Sequence, residues 1–296
     1  MIFQRHVNCS QFVMKYDVTA ELDYSVRFRS AMILSVHAQT NSAQAITNET
    51  FTVEPHVESR EFADENGNRF VRLDTGNHSQ LGLCYRATVD CDFEVCAASR
   101  IAPTPVAALD DEALPYLFPS RYCQSDRLGR LAWDLFGKIE KPHDKVVAIT
   151  DWIYDNVEYV RGSTNSGTSA YDTVTQRVGV CRDFAHLGIS LCRALNIPAR
   201  YFTGYAYELD PPDFHACFES YIGGQWMVFD ATRLAHLNGL VRIATGRDAA
   251  DTAVASVFGS VACTRVKVAC ELAAGQTFMP IPRRQLERRG VMLPTG

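Results

Sequence analysis

Three residues in the second half of the chain have the types that nucleophilic acyl transfer needs: Cys181, His215 and Asp230. A thiolate attacks a carbonyl carbon. An imidazole holds that thiolate and then protonates the leaving group, while a carboxylate fixes the imidazole's tautomer. Cys181 follows Gly179-Val180 and opens CRDFAHLGISLCRALNI, which reads as a helix stopped by Pro198. A thiol at a helix N-terminus meets the positive end of the macrodipole, which favours the thiolate. Gly179 permits the tight backbone entry such a placement needs. Positions 181, 184, 188, 191 and 195 recur in steps of three and four, so Cys181 faces inward. On such a stripe a cysteine is as readily a small core residue, so the assignment needs a base. His186 lies ~140° around the helix at ~100° per residue, points away, and reads as structural or surface. Asp183 also points elsewhere and suits the dipole as a first-turn carboxylate.

His215 is the better candidate. FHACFESYI and QWMVFDA read as two strands joined by Gly223-Gly224, a strong hairpin signal. A two-residue turn pairs Ile222 with Gln225. It then places Asp230 opposite Cys217 and His215 opposite Thr232. Alternation puts 215, 217 and 230 on one face. His215 and Asp230 become diagonal neighbours, about 7–8 Å apart at Cα, within reach of a side-chain hydrogen bond. Each alone has an ordinary reading, a satisfied core histidine or a turn carboxylate. An acyl-transfer site also needs oxyanion donors. The backbone N–H of Cys181 is the first, and Tyr171 and Gln176 are candidates for the second. Cys217 adds a thiol to this face. It offers two alternatives: a zinc site with Cys181 and His215, which lacks an evident fourth ligand, or a reversible disulfide with Cys181.

The elements that must position these groups follow from periodicity. Residues 1–100 read as strands: MKYDVTAELDY, SVRFRSAMILSVHA, a hairpin around ENGN (65–68), and LGLCYRATVDCDFEV. IAPTPVAALDDEALP (101–115) holds three prolines and reads as a linker. SDRLGRLAWDLFGK and HDKVVAITDWIYDNVEYV have helical spacing, and TSAYDTVTQR reads as a short helix. ARYFTGYAYE, the hairpin and a last strand, TRVKVACEL, follow. The division is a β-rich N-terminal domain (1–100), a linker (101–115), an α+β core (116–275) and a tail (276–296) whose RRQLERR run is solvated.

Hydrophobic residues are 47% and charged residues 21% of the 296, a globular balance that excludes a disordered or fibrous chain. A net charge of −5 does not favour nucleic acid or an anionic membrane surface. No apolar run approaches the ~18 residues of a membrane span. No leader is evident and the ten cysteines form no CxxC pair. Zinc-ribbon and thioredoxin motifs are thus absent, and the cysteines read as reduced thiols of a cytoplasmic protein.

GVCRDFAHLGISLCRALNIPARYFTGY, FHACFESYIGGQWMVFDAT and GRDAADTA, in that order, resemble the catalytic core of the transglutaminase-like superfamily, in particular its bacterial, cysteine-protease-like branch. The resemblance is strong over most of 120–260 and looser over 1–100. It implies a papain-like core, a nucleophile helix packed on an antiparallel sheet, preceded by an all-β N-terminal domain. It places Cys181 at the nucleophile, His215 at the base and Asp230 at the third position. Two departures stand out: Cys217 where relatives often have Trp, and Ala231 where they often have Pro.

The expected activity is cysteine-dependent acyl transfer through a thioester, on a peptide, isopeptide or glutamine amide bond, with hydrolysis preferred over transamidation. No cofactor or metal is expected, since neither an EF-hand loop nor a dense carboxylate cluster is present. The partner is a peptide or protein substrate. The N-terminal domain is read as able to gate the cleft, recognise that substrate or form a homo-oligomer. The alternative is a non-catalytic protein-binding module on the same fold.

Overall fold

Alternation organises the first half of the chain. The computed structural model describes residues 9–98, 101 and 103–294. Six strands come first: β1 (Cys9–Val26), β2 (Ala31–Leu34), β3 (Gln44–Glu54), β4 (Ser59–Ala63), β5 (Arg69–Asp74) and β6 (Gln80–Ala97). From Tyr16 to Val26 every even residue of β1 is buried and every odd one is at least partly exposed. This is the signature of a strand with one face on a core. Its buried residues pair across to those of β6, Leu22 opposite Leu83 and Tyr24 opposite Leu81. Met32, Leu34, Val71 and Leu73 from β2 and β5 close the same core from a second sheet. The expected ENGN hairpin is β4–β5, paired from Ala63↔Arg69.

The middle of the chain is helical and then antiparallel. It comprises α1 (Ser125–Phe136), α2 (Pro142–Asn156), β7 (Glu158–Tyr159), α3 (Ala170–Gln176), β8 (Val178–Gly179) and α4 (Cys181–Ala194). β9 (Ala199–Ala206), β10 (His215–Ile222), β11 (Gln225–Phe229) and β12 (Leu240–Gly246) follow. The last four form a sheet in the order β11-β10-β9-β12. α4 packs on it: the Phe218 ring fills the space a Cβ at Gly188 would take, and Ser220 donates to Cys192 Sγ at 3.6 Å. All eight residues of β9 are buried, because the sheet has α4 on one side and the N-terminal sheets on the other. The fold is α+β, an antiparallel core with the Cys181-bearing helix packed on it, behind a β domain.

Four expectations are corrected. β13 (Ala255–Phe258) and β14 (Val261–Leu272), read as part of the core, pair with β2 and β1 of the first half. The long edge of β1 needs a partner, and local sequence does not say which strand supplies it. The 276–294 segment is more than a tail, although its RRQLERR run stays mostly exposed. It carries α5 (Arg283–Leu286) and β15 (Arg289–Met292), and β15 pairs with β6. The described residues of the 101–115 linker are mostly exposed, but it is anchored by buried Ala113 and by Ile101 against the hairpin turn at Gly223. Finally, Cys9 and Cys96, directly opposed on β1 and β6, form a disulfide. That removes the uniform set of reduced thiols on which the cytoplasmic expectation partly rested. Among the described residues no helix is long and apolar enough to cross a membrane.

Candidate active site

The start of α4 is built by short-range contacts. Two residues of β8 bridge in parallel to β7, and the chain turns into the helix through Val180. Asp183 is fully buried three residues on. Its carboxylate accepts the Val180 N–H at 3.0 Å, the Thr164 hydroxyl at 2.7 Å and the Arg182 guanidinium at 3.0 Å. It is therefore an N-terminal cap of the helix. Gly179 is required for space: a Cβ there would lie 2.8 Å from that of Asp183. Cys181 is the first residue of the helix and half-buried, facing a cleft of about 530 Å³.

The hairpin has the expected register. Gly223 and Gly224 take φ of 64° and 83°, and Ile222 pairs with Gln225, Phe218 with Phe229. His215 Nε2 and Asp230 Oδ2 lie 3.0 Å apart. The carboxylate also accepts the Thr232 N–H and hydroxyl at 2.9 and 2.7 Å and the Ala235 N–H at 3.1 Å. With Asp230 ionised, Nε2 carries the proton it donates. That leaves Nδ1 for the cleft, which the Cys181 thiol also lines. Burial alone would lower the His215 pKa. Asp230 first, and Cys181 after it, outweigh burial and raise it to about 10. Burial likewise works against the Asp230 carboxylate, but the His215 charge and the Thr232 hydrogen bonds hold it below its ordinary range.

One part of the geometry differs from alternation along the strand. α4 packs on the Ala216, Phe218 and Ile222 side of β10, whereas Cys217 sits in a separate cluster with Phe93, Phe202 and Val228. Cys181 and His215 share the cleft because His215 is the first residue of β10 and Cys181 the first of α4. Cys217 is 1% exposed and does not line the cleft. Neither the zinc alternative nor a disulfide with Cys181 is therefore supported. Among the described residues the gathered metal-ligand types are Cys9, Glu94 and Cys96, and its two sulfurs are joined. His186 is buried and structural, stacked 5.0 Å from Tyr122, with Nε2 accepting the Ala249 N–H at 3.1 Å. Burial first, then Arg182 and Arg193, push its pKa well down.

The oxyanion candidates are corrected. Tyr171 and Gln176 are exposed on α3, and Arg127 lies 3.5 Å over the Tyr171 ring. Neither lines the cleft. Tyr159 does line it, beside Cys181. Burial pushes the phenol up to about 12, so it remains a donor. Periodicity extended the preceding helix through VEYV and hid this residue. The helix ends at Asn156, and Tyr159 belongs to β7, whose partner β8 leads into Cys181.

Comparison with known proteins agrees with this architecture. Residues 130–231 match the transglutaminase-like superfamily, and residues 14–112 match the bacterial transglutaminase N-terminal domain. A crystal structure described as a "Putative Cysteine Protease from Cytophaga hutchinsonii" is 52% identical, with a TM-score of 0.94 over 97% of this chain and 100% of that one. An uncharacterized protein of Mycobacterium leprae is 24% identical over 246 residues, 79% of this chain and 88% of that protein. An uncharacterized Mycobacterium tuberculosis protein is 42% identical over 60 residues, 20% of this chain and 19% of that protein.

Proposed function

The chain belongs to the transglutaminase-like superfamily, and from that premise we propose that it is a cysteine-dependent acyl-transfer enzyme with Cys181 as nucleophile, His215 as acid–base and Asp230 as its orienter. One observation carries the reading. His215 Nε2 is held 3.0 Å from a saturated carboxylate, and the residue borders an open cleft that a cysteine at a helix N-terminus also lines. The 52% identical structure described as a "Putative Cysteine Protease" supports it.

The chemistry balances on these residues. Cys181 sulfur attacks the amide carbon, and the carbonyl oxygen gains charge opposite the Cys181 N–H and the Tyr159 hydroxyl. His215 gives its proton to the nitrogen, the C–N bond breaks, and an amine leaves a thioester on Cys181. Water then gives a proton back to His215 as its oxygen attacks the thioester. Carboxylic acid and free thiol are released. Hydrolysis is preferred to transamidation because the cleft is open to water. Its rim sets Glu158, Asp210 and Asp213 against Arg161, which favours acyl donors with a basic residue nearby.

Iodoacetamide labelling near pH 6 with peptide mapping tests the reading. Cys181 should alkylate selectively, and the exposed Cys263 supplies an internal control. Selectivity should disappear in His215→Ala. Peptide and glutamine-amide panels, with and without added amine, then separate hydrolysis from transfer. Equal labelling of Cys181 and Cys263, with no turnover, would leave the non-catalytic binding module.

A further inference from the structure

Behind the loop that carries Asp230 lies a second cavity, of about 360 Å³. Its walls are largely apolar, from Val147, Val228, Phe229, Leu237, Ile281 and Leu286. Its charged groups are unbalanced. Arg233, Arg283 and Arg289 line it, against Asp151 and Glu287. Asp230 also borders it, but its carboxylate is occupied by His215, Thr232 and Ala235. His236 stands against Glu208 at 3.3 Å. Arg233 and Arg283 each place Nη2 2.8 Å from one oxygen, Oδ1, of Asp151. A guanidinium has five N–H donors in a planar fork. Both therefore keep donors for another acceptor, and one carboxylate charge does not neutralise two guanidiniums.

We propose that this cavity binds a small organic carboxylate with an apolar body, its head forked by Arg233 and Arg283 and its tail among Val147, Phe229 and Leu286. The size and the mix of apolar wall with few convergent polar groups are those of ligand sites, and paired guanidiniums suit a carboxylate head. The site also reports on the cleft. Asp230 and Arg233 face the cavity, whereas Leu234, between them and Ala235, faces the cleft with Cys181 and His215. Arg233 holds a φ of 60° and lies 3.6 Å over the Tyr154 ring, so the loop's conformation depends on where that guanidinium sits. A carboxylate drawing Arg233 from Asp151 therefore acts on the loop that orients the imidazole. This coupling rests on the acyl-transfer reading; the binding does not.

The test is calorimetric titration of the full chain with octanoate, with octylamine as the opposite-charge control. Octanoate should saturate one site with a dissociation constant below about 1 mM. Octylamine should not compete for it. Arg283→Gln should weaken octanoate at least about tenfold, the loss of one charge-assisted contact. Leu286→Trp should block the site with every charge in place. Circular dichroism verifies that both variants are folded. Cys181→Ala should bind octanoate like the parent chain, so failure of the acyl-transfer reading would leave this result intact. Saturating octanoate should change the iodoacetamide rate at Cys181 about twofold or more. Non-saturable binding, equal binding of octylamine, or binding untouched by both cavity variants would overturn the site. An unchanged alkylation rate would overturn the coupling.

Discussion

Strand β10 buries two ionic clusters four residues apart, and of the two only the one at His215 borders the candidate catalytic cleft. Glu219 is fully buried and accepts Arg200 at 2.6 Å and Arg242 at 2.9 and 2.7 Å. Arg242 donates further to the Leu293 carbonyl at 2.6 Å, which ties in the C-terminal segment. Burial would raise the Glu219 carboxyl, but the Arg200 and Arg242 charges outweigh it and hold the group ionised. Both of its oxygens are engaged and no cleft reaches it. Asp230 is just as saturated, yet its partner His215 is engaged by a carboxylate on one nitrogen only. His215 also borders a cavity that the half-buried Cys181 lines. A buried ion network sealed from solvent specifies packing, even with Arg200 Nη2 lacking an acceptor, whereas one that borders a cleft is equipped for proton transfer.

Substitutions should separate the two clusters. Cys181→Ala should reduce turnover on the best amide substrate to background. Chemical denaturation should register a change of less than about 1 kcal/mol; a larger loss would make the thiol a packing residue. Glu219→Gln should do the reverse, costing about 3–5 kcal/mol because it strands two buried guanidiniums. Urea titration checks this, and a near-neutral result would mean water enters the cluster. Tyr159→Phe should lower kcat about 10²–10³-fold with KM little changed, as for loss of an oxyanion donor. Equal effects on both parameters would make the phenol a binding group. Gly188→Ala should cost about 1–3 kcal/mol, since its Cβ would fall 2.4 Å from the Phe218 ring. Recovery in the double variant with Phe218→Leu would locate the clash.

Proton linkage sharpens the contrast. The His215 pKa is raised in the folded state from 6.5 to about 10. Its stabilising contribution is therefore complete below 6.5 and lost as pH rises through 10. Asp230 is depressed below 3.8, so its contribution is present above that value and lost as pH falls through its lower folded-state pKa. The stability difference between the parent chain and His215→Gln should be widest between 3.8 and 6.5 and close toward pH 10. A difference independent of pH would remove the ion pair.

Much of the site was legible because it is local. Two adjacent glycines define the turn, the turn defines the register, and the register brings His215 near Asp230. A three-and-four spacing places Cys181 at the start of α4 with its stripe inward. Tyr159 was not legible, because a two-residue parallel bridge across a Gly/Ser/Thr loop has no periodic signal. Nor was the fate of RRQLERR, whose Arg283 reaches back to Asp151 on α2.

Sequence by itself determined most of the longer strands and helices, the hairpin register and the residue types available for chemistry. Tertiary structure alone decided that β14 and β15 close the first sheet, and that α4 lies on the Phe218 side so that Cys217 is excluded from the cleft. It also decided that Cys9 faces Cys96 and that two arginines share Asp151. The reason is physical. Periodicity records that a side chain is buried, but what it is buried against depends on partners far away in sequence, chosen when the whole core packs.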